Sequence, residues 1–271
     1  MATSNSLLKK TAFERRIDVL NMVHFSRSGH IGGSFSCMDA LVALYYGVMD
    51  VEKIIAKHPA RDRFVLSKGH CAEALYAVLA DIGFFPKENL KSFGKFDSYL
   101  AEHPTKHVPG VEIATGALGH GLSCGVGMAI GLEPTPAKVY VLMGDGELAE
   151  GSVWEAFMAA AKFRLGNLCA LIDRNGLQIS GATENVMPLG DLPQKLKAFG
   201  WEVLTVNGHE PEGIIDALAN KTDSPKAVIL ETVKGFGSKL MENEVNWHHK
   251  IPNDEQYKII LNELIDRGDL S

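Results

Sequence analysis

The sequence predicts an α/β fold in which a mainly parallel sheet is covered by helices on both faces, a three-layer sandwich. Short β-rich runs alternate with helical segments of about ten residues or more, which is typical of βαβ crossovers. Runs such as CALI and AVIL are continuously apolar, as expected of parallel strands buried on both faces. Many glycines fall into four clusters, which predicts a site built from loops at the strand ends; these clusters are 29–33, 110–131, 144–151 and 235–237.

Each element follows from the spacing of apolar residues. Helices are predicted where apolar residues recur at helical spacing, over 7–24, 36–48, 72–82, 121–132, 152–163, 191–199, 211–220 and 255–266. Strands are predicted where apolar and β-branched residues run together, over 63–66, 138–143, 168–172, 202–206 and 227–231. No repeat or linker divides the chain. Residues 1–271 are therefore expected to form a single domain that starts with a helical segment and ends in a helical tail.

Composition and charge are those of a soluble globular protein. Of 271 residues, 46% are apolar and 22% charged, and the net charge of −6 argues against nucleic acid or an anionic membrane as a partner. The N-terminus becomes charged before a signal peptide's apolar region could form, so a cytoplasmic location is expected. The four cysteines lie in apolar stretches without paired spacing and are interpreted as core residues: Cys37, Cys71, Cys124 and Cys169.

Two polar side chains follow neighbouring predicted strands. Asp145 lies in a GDG turn directly after the strand KVYVLM, and Asn175 follows the strand LCALID, 30 residues further along. One helix and one strand fill this span, so both side chains should meet at the carboxyl edge of the sheet. Each motif alone is equally consistent with a simple tight turn. Together they predict a site for Mg²⁺, or alternatively Ca²⁺, bound with a diphosphate, because both cations prefer oxygen ligands.

On these residues the chain resembles the thiamine diphosphate-dependent enzymes, and more closely the transketolases. GDGELAEGSVWEA, followed by NLCALIDRNGLQISG, is similar to the transketolase version of the cofactor motif. The similarity extends to SRSGHIGGS, DRFVLSKGHCAEALY, HPTKHVPGVEIATGALGHGLSCGVGMA, KGFG and NWHH, and so covers nearly the whole chain. The resemblance implies the diphosphate-binding domain of the thiamine diphosphate fold, equivalent to the N-terminal half of a full-length transketolase.

The resemblance also assigns roles around the cofactor. It implies that Mg²⁺ is held by Asp145, Asn175 and the carbonyl of Leu177. It implies further contacts with thiamine diphosphate from Gly116, Ala117, Leu118, Gly146 and Ile179, with His70 and Lys234 near the phosphates and Glu150 in a carboxylate network between paired active sites. Lys68, close to His70 in the sequence, is instead expected to be a solvated lysine.

Three of the ten histidines are predicted to face the substrate. By resemblance, His30, His103 and His248 position sugar oxygens and move protons, which suits imidazole because it titrates near neutral pH. His249 could take the place of His248 if the loop register shifts by one. No role is predicted for His24, His58, His107, His120 and His209.

The glutamate that activates the cofactor in transketolases belongs to a second, pyrimidine-binding domain. Only 22 residues follow His249, and they are typical of one capped helix and a tail. We therefore expect this chain to be the N-terminal subunit of a split transketolase, active with a separate C-terminal subunit in an α2β2 heterotetramer. The expected reaction moves a two-carbon ketol unit from a ketose phosphate, or a related sugar, to an aldose.

Three other functions fit parts of the pattern. A component of a 2-oxoacid dehydrogenase or a deoxyxylulose phosphate synthase would share the cofactor motif. A nucleotide-binding dehydrogenase is suggested by GHGLSCG, although its glycine spacing differs from the dinucleotide fingerprint. A non-catalytic cofactor-binding subunit would keep the fold without turnover.

Overall fold

A computed structural model of the chain describes residues 4–219 and 222–270. Its centre is a parallel five-stranded sheet with the order β1-β2-β3-β7-β6. These strands are β1 (Arg63–Leu66), β2 (Val139–Gly144), β3 (Leu168–Arg174), β6 (Glu202–Asn207) and β7 (Lys226–Glu231). A short antiparallel hairpin pairs β4 (Leu177–Gln178) with β5 (Gly181–Ala182). The predicted parallel sheet is confirmed, and each predicted strand end lies within two residues of the observed one.

Eleven α-helices surround the sheet in the described part of the chain. They are α1 (Asn5–Ser26), α2 (Ile31–Ser36), α3 (Met38–Ala43), α4 (Val51–Ile55), α5 (Ala72–Asp81), α6 (Gly121–Leu132), α7 (Gly151–Lys162), α8 (Thr183–Val186), α9 (Leu192–Ala198), α10 (Pro211–Ala219) and α11 (Asp254–Gly268). Single 3₁₀ turns cover Gly69–Cys71, Lys87–Ser92, Gly146–Ala149 and Val245–His248, and a π turn covers Leu44–Val48. Residue 220, the predicted end of α10, lies outside the described residues.

The two faces of the sheet belong to different hydrophobic cores. Tyr140 and Leu142 of β2 pack into the core formed with α1, α3, α5 and α10. Val141 and Met143, which alternate with them, pack into the core formed with α6, α7 and α9. This alternation follows from the two-residue period of a strand. Both faces are covered, so the predicted three-layer sandwich is confirmed.

The glycine cluster at 29–33 is partly helical, which differs from the predicted loop. Helix α2 begins at Ile31 and ends at Ser36, the first residue of the helix predicted over 36–48, and the rest of that range forms α3 and the π turn. Cys37 separates α2 from α3 with a backbone conformation outside the helical region. A Cβ at Gly32 would lie 2.6 Å from the carbonyl oxygen of Trp247. This glycine therefore allows close packing of a helix against another backbone rather than a turn.

The predicted helical tail is observed as α11. Its N-terminus has a capping box, in which the Asn253 side chain accepts a hydrogen bond from the Gln256 amide and the Gln256 side chain accepts one from the Asn253 amide. Ile260 and Leu264 are fully buried in the core that contains α1. Among the described residues no helix combines the length and the apolar character needed to cross a bilayer. The four cysteines are free thiols; three are buried and Cys124 is half-buried.

Candidate active site

A cleft of about 280 Å³ opens at the carboxyl edge of the sheet. The segments after β1, β2 and β3, together with the loop after β7, form it. Ten of the predicted site residues line it: His70, Gly116, Leu118, Asp145, Gly146, Asn175, Leu177, Ile179, Lys234 and His248. Neighbouring parallel strands bring these residues together, although they are far apart in the sequence.

Asp145 is buried at the end of β2, with 2% of its surface exposed. Its Oδ1 accepts a hydrogen bond from the amide of Gly146 at 2.8 Å, and its Oδ2 accepts one from the amide of Gly176 at 2.7 Å. Burial, reinforced by the nearby charge of Asp173, raises the pKa of this carboxyl. The two hydrogen bonds thus orient the carboxylate, but keeping it charged in a buried position costs free energy. A bound cation would offset that cost.

Asn175 and Leu177 place two further oxygens beside the cleft. Asn175 is buried, and its Oδ1 accepts a hydrogen bond from the amide of Leu177 at 3.1 Å. The carbonyl of Leu177 accepts a hydrogen bond from Lys234 Nζ at 3.2 Å. Amide and carbonyl oxygens each have two lone pairs, so these contacts leave a further acceptor site on each oxygen.

The residues of the cleft fit Mg²⁺ and a diphosphate. Carboxylate, amide and carbonyl oxygens converge there, a donor set that Mg²⁺ prefers. Gln178 lines the same cleft, and its Oε1 is buried with no hydrogen-bond partner among the described residues. A Cβ at Gly146 would lie 3.0 Å from Gln178 Cβ, so the absence of a side chain at residue 146 lets the turn pack closely against Gln178.

Lys234 and His248 form a polar pair that also lines the cleft. Lys234 Nζ lies 3.0 Å from His248 Nδ1. An ammonium group can only donate, so Nδ1 accepts and the His248 proton is on Nε2. Burial lowers the pKa of Lys234 to about 8, and burial together with the Lys234 charge lowers the pKa of His248 to about 3. At neutral pH the pair therefore combines a cation with a neutral imidazole.

The predicted histidines lie in one cluster around His30. The ring centroid of His30 is 5.4 Å from that of His70, 6.0 Å from that of His103 and 5.6 Å from that of His248. Burial, together with the neighbouring imidazoles, lowers the pKa of His30 to about 4. Burial also lowers the pKa of His103. Neutral imidazoles of this kind can both donate and accept protons.

The structure distinguishes His248 from His249. His248 lines the cleft, whereas the His249 side chain is 52% exposed and its ring lies 4.5 Å from that of His30. The predicted register thus places His248 inside the cleft and His249 nearer the solvent.

Two predicted cofactor contacts lie outside the set that lines the cleft. Ala117 is exposed between two lining residues, Gly116 and Leu118. Glu150 is also exposed, at the start of α7, and lies against Gly119, where an added Cβ would be 2.5 Å from Glu150 Cβ. Their predicted roles toward the cofactor and toward a paired site stay predictions.

The expectation of a solvated Lys68 is wrong. Lys68 is 1% exposed and pairs with the fully buried Asp173, which lies at the end of β3. Lys68 lies two residues after β1, so the rule that identified Asp145, a polar residue at the carboxyl end of a buried strand, would also have identified Lys68.

Two buried glutamates near the site escaped sequence reasoning. Glu147 accepts hydrogen bonds from the Ser67 hydroxyl, from the Gly119 amide at 2.9 Å and from the Gly144 amide at 3.1 Å. Glu73 is fully buried, accepts a hydrogen bond from the His30 amide on its Oε1 at 2.5 Å, and has its pKa raised to about 8 by burial. Both lie in helical segments, and no local pattern distinguishes them from surface acids.

Size alone would not identify this cleft. Two cavities of about 650 Å³ lie elsewhere, one beside Phe25 and Lys91 and one beside Phe236 and His209. Neither contains a predicted site residue. The converging polar groups, rather than volume, make the smaller cleft the candidate active site.

A parallel α/β sheet with an oxygen donor set and a glycine turn at its carboxyl edge is typical of proteins that bind a diphosphate together with a divalent cation. Residues 8–260 match the family described as "Transketolase, thiamine diphosphate binding domain". The chain belongs to this family, which confirms the resemblance seen in its motifs.

Curated relatives of similar length are named as components of larger enzymes. The chain is 48% identical over 259 residues to a subunit of the apulose-4-phosphate transketolase of Phocaeicola vulgatus, a match that covers 94% of this chain and 92% of the relative. It is 38% identical to the 6-deoxy-6-sulfo-D-fructose transketolase subunit SqwG of a Clostridium species, over 89% of this chain and 90% of the relative.

A solved transketolase has the same fold. The enzyme from Campylobacter jejuni superposes with a TM-score of 0.86 and 30% identity, covering 99% of this chain but 43% of the Campylobacter chain. The chain thus spans about two fifths of that solved transketolase and most of the two relatives named as subunits.

Proposed function

We propose that this chain is the diphosphate-binding subunit of a two-subunit transketolase, which transfers a two-carbon ketol unit from a ketose phosphate, or a related sugar, to an aldose. The observation that carries the proposal is the convergence of Asp145, Asn175 and Leu177 with His70 and His248 in one cleft. His30 and His103 do not line this cleft, but the ring of His30 contacts those of His70, His103 and His248 beside it. The names of the relatives of similar length support a separate partner subunit. In this proposal the whole chain acts as one diphosphate-binding domain.

In the proposed site Asp145, Asn175 and the Leu177 carbonyl hold Mg²⁺, and Lys234 offers a positive charge to the diphosphate. When bound, thiamine diphosphate supplies a nucleophilic carbon and an electron sink for breaking and forming a carbon–carbon bond. The exposed side chains of Leu118 (39%) and Ile179 (68%) provide apolar surface for the organic part of the cofactor.

The histidines of the cluster are proposed to bind and protonate the sugar. His30 and His248 are neutral at physiological pH because their pKa values are lowered to about 4 and about 3. A neutral imidazole can accept a proton from a sugar hydroxyl and return it to a carbonyl oxygen. His248 has Nδ1 engaged by Lys234, so Nε2 is the nitrogen available to the substrate.

The proposed assembly is an α2β2 heterotetramer in which the partner subunit supplies the pyrimidine-binding domain and the activating glutamate. We also propose a cytoplasmic setting, where free thiols such as those of the four cysteines stay reduced.

The test is a ketol-transfer assay of the chain alone and after mixing with its candidate partner subunit. We expect activity only in the mixture. Asp145→Asn should lower that activity about 100-fold or more, because even residues that merely orient metal ligands contribute 10- to 100-fold. Asp216→Asn, on the exposed face of α10, is the matched control and should be fully active.

Full transfer activity of the isolated chain would contradict the two-subunit proposal, and an active Asp145→Asn mixture would contradict the metal site. Decarboxylation of a 2-oxoacid by the mixture would favour the 2-oxoacid dehydrogenase alternative. If titration with thiamine diphosphate and Mg²⁺ gave no heat of binding, this would contradict the assignment of thiamine diphosphate as the cofactor.

A further inference from the structure

A second group of potential metal ligands overlaps the histidine cluster, because it shares His30. His30, Glu102 and His249 each offer one nitrogen or oxygen, and these three atoms lie within 4.8 Å of one another. His249 Nε2 is 3.9 Å from Glu102 Oε2, and the rings of His249 and His30 are 4.5 Å apart. The group combines two imidazoles with one carboxylate, a different donor set from the oxygens around Asp145.

Two of the three side chains have features expected of metal ligands. His30 Nδ1 is buried without a hydrogen-bond partner among the described residues. Ser28 Oγ donates a hydrogen bond to Glu102 Oε1, which orients the carboxylate and leaves Oε2 toward His249. A ligand oriented by a neighbouring hydrogen bond is typical of metal centres.

The group is also accessible from solvent. The His249 side chain is 52% exposed and that of Glu102 is 35% exposed, whereas His30 is only partly exposed. Tetrahedral Zn²⁺ with bonds of about 2.0–2.1 Å holds its ligand atoms about 3.4 Å apart. The exposed His249 side chain and the half-buried Glu102 side chain can rotate inward by the difference while the His30 side chain stays in place.

We propose that His30, Glu102 and His249 form a site for Zn²⁺ or a similar borderline divalent cation at the entrance of the active site. Two imidazoles and one carboxylate favour such cations over Mg²⁺ and Ca²⁺, and three protein ligands leave the fourth position for water. Bound metal would occupy the lone pair of His30. If His30 faces the sugar, as the proposed function requires, the metal competes with the substrate and inhibits transfer.

The first experiment measures binding and does not depend on catalysis. Co²⁺, a visible-absorbing substitute for Zn²⁺, is titrated into the full chain in the presence of excess Mg²⁺, and Zn²⁺ is then added to displace it. We expect one equivalent of Co²⁺ to bind, with the strong absorption of a four-coordinate site. His249→Ala and Glu102→Gln should each weaken binding about 10-fold or more.

His107→Ala is the matched control, because His107 is an exposed histidine outside the group. It should bind Co²⁺ like the unmodified chain. Equal binding by all the variants, or binding that excess Mg²⁺ abolishes, would overturn the proposal. Glu102→Gln keeps the acceptor for Ser28, and both ligand variants alter partly exposed side chains, so folding is expected to be preserved.

The second experiment tests inhibition in the reconstituted two-subunit enzyme. For each protein we measure the Zn²⁺ concentration that halves its rate without Zn²⁺. Relative to the enzyme with the unmodified chain, this concentration should be about 10-fold or more higher with His249→Ala and unchanged with His107→Ala. If Zn²⁺ bound but did not inhibit transfer, the proposal of a metal site would stand and the proposal that the metal competes with the substrate would be wrong. An inactive mixture would count against the proposed function alone, because the Co²⁺ titration is independent of it.

Discussion

Lys68 and Asp173 form a buried ion pair at the base of the cleft. Lys68 Nζ contacts Asp173 Oδ2 and donates to the Gly33 carbonyl at 3.3 Å. Burial alone would lower the pKa of Lys68, but the charge of Asp173 and its hydrogen bond raise it well above its ordinary value. Asp173 also accepts a hydrogen bond from the side-chain amide of Asn175 at 3.2 Å. The ion pair therefore holds Asp173 in a position from which it orients Asn175, a predicted metal ligand.

Lys68→Met is expected to lower the free energy of unfolding by about 3–5 kcal/mol, because it leaves the Asp173 charge buried without its partner. Urea titration measures this change. Lys10→Met on the exposed face of α1 is the matched control and should stay within about 0.5 kcal/mol of the unmodified chain. Combining Lys68→Met with Asp173→Asn should cost less than the sum of the single changes. A Lys68→Met protein as stable as the control would show that the pair contributes nothing.

The loop after β7, which carries Lys234, is held by a buried histidine. His209 Nε2 accepts a hydrogen bond from the Val233 amide at 2.9 Å, so its proton lies on Nδ1, 2.8 Å from Asp39 Oδ2. The ring of Phe236 stacks on His209 at 3.6 Å between centroids. Arg16 of α1 completes the network by pairing with Asp39. Three separate elements therefore determine where the loop places Lys234.

This network predicts a dependence of stability on pH. Burial would raise the pKa of Asp39, but the charge of Arg16 and the hydrogen bond of His209 outweigh it and lower the pKa below 3.8. The pKa of Asp39 is thus lower in the folded chain than in the unfolded chain. The stabilisation by the Asp39 carboxylate is therefore complete at pH values above its pKa in the unfolded chain, and it is lost as the pH falls through its pKa in the folded chain. We expect the unfolding free energy of the Asp39→Asn variant to decrease less than that of the unmodified chain as the pH falls below about 4.

Denaturant titrations at a series of pH values from about 6 to about 3 measure the effect. Asp216→Asn, which alters an exposed carboxylate on α10, serves as the control and should follow the unmodified chain. If the unfolding free energies of the Asp39→Asn variant and of the unmodified chain changed equally with pH, the buried partners of Asp39 would not lower its pKa.

The elements differ in how well sequence predicts them. Strands such as β2 follow from local runs of apolar residues, which is why their ends lie within two residues of the prediction. Helix α2 was missed because glycine and serine favour loops locally, whereas tight packing against Trp247 requires glycine there. The burial of Lys68 and the position of Glu73 depend on contacts with distant segments, which local propensity does not capture. Asp145 and Asn175 were found because the parallel sheet itself brings them together.

The whole chain is a sheet with two covered faces and one open edge. Both hydrophobic cores support the sheet, and the polar groups of the cleft lie where β1, β2, β3 and β7 end. The fold therefore separates stability, which resides in the two cores, from binding, which resides at the carboxyl edge.

Thiamine diphosphate with Mg²⁺ is expected to stabilise the folded chain, because the cleft exists only in the folded state. At about 100 times its dissociation constant a ligand adds about 2.7 kcal/mol to the unfolding free energy. Thermal unfolding followed by intrinsic fluorescence measures the shift in Tm. Thiamine without its diphosphate is the matched ligand control and should give a much smaller shift. Equal shifts from both ligands would show that the diphosphate does not bind at the cleft.

The order of strands in the sheet has a consequence for how the protein is made. The strands that end at the cleft pair with segments far along the chain: β1 ends at residue 66 and its partner β2 begins at residue 139, and β3 ends at residue 174 and its partner β7 begins at residue 226. Pairings between such distant segments must close long loops, which slows folding. A chain emerging from the ribosome cannot complete the cleft until β7 and the following loop have been synthesised. Capture of the cofactor would therefore belong to a late stage of maturation, after most of these 271 residues have been translated.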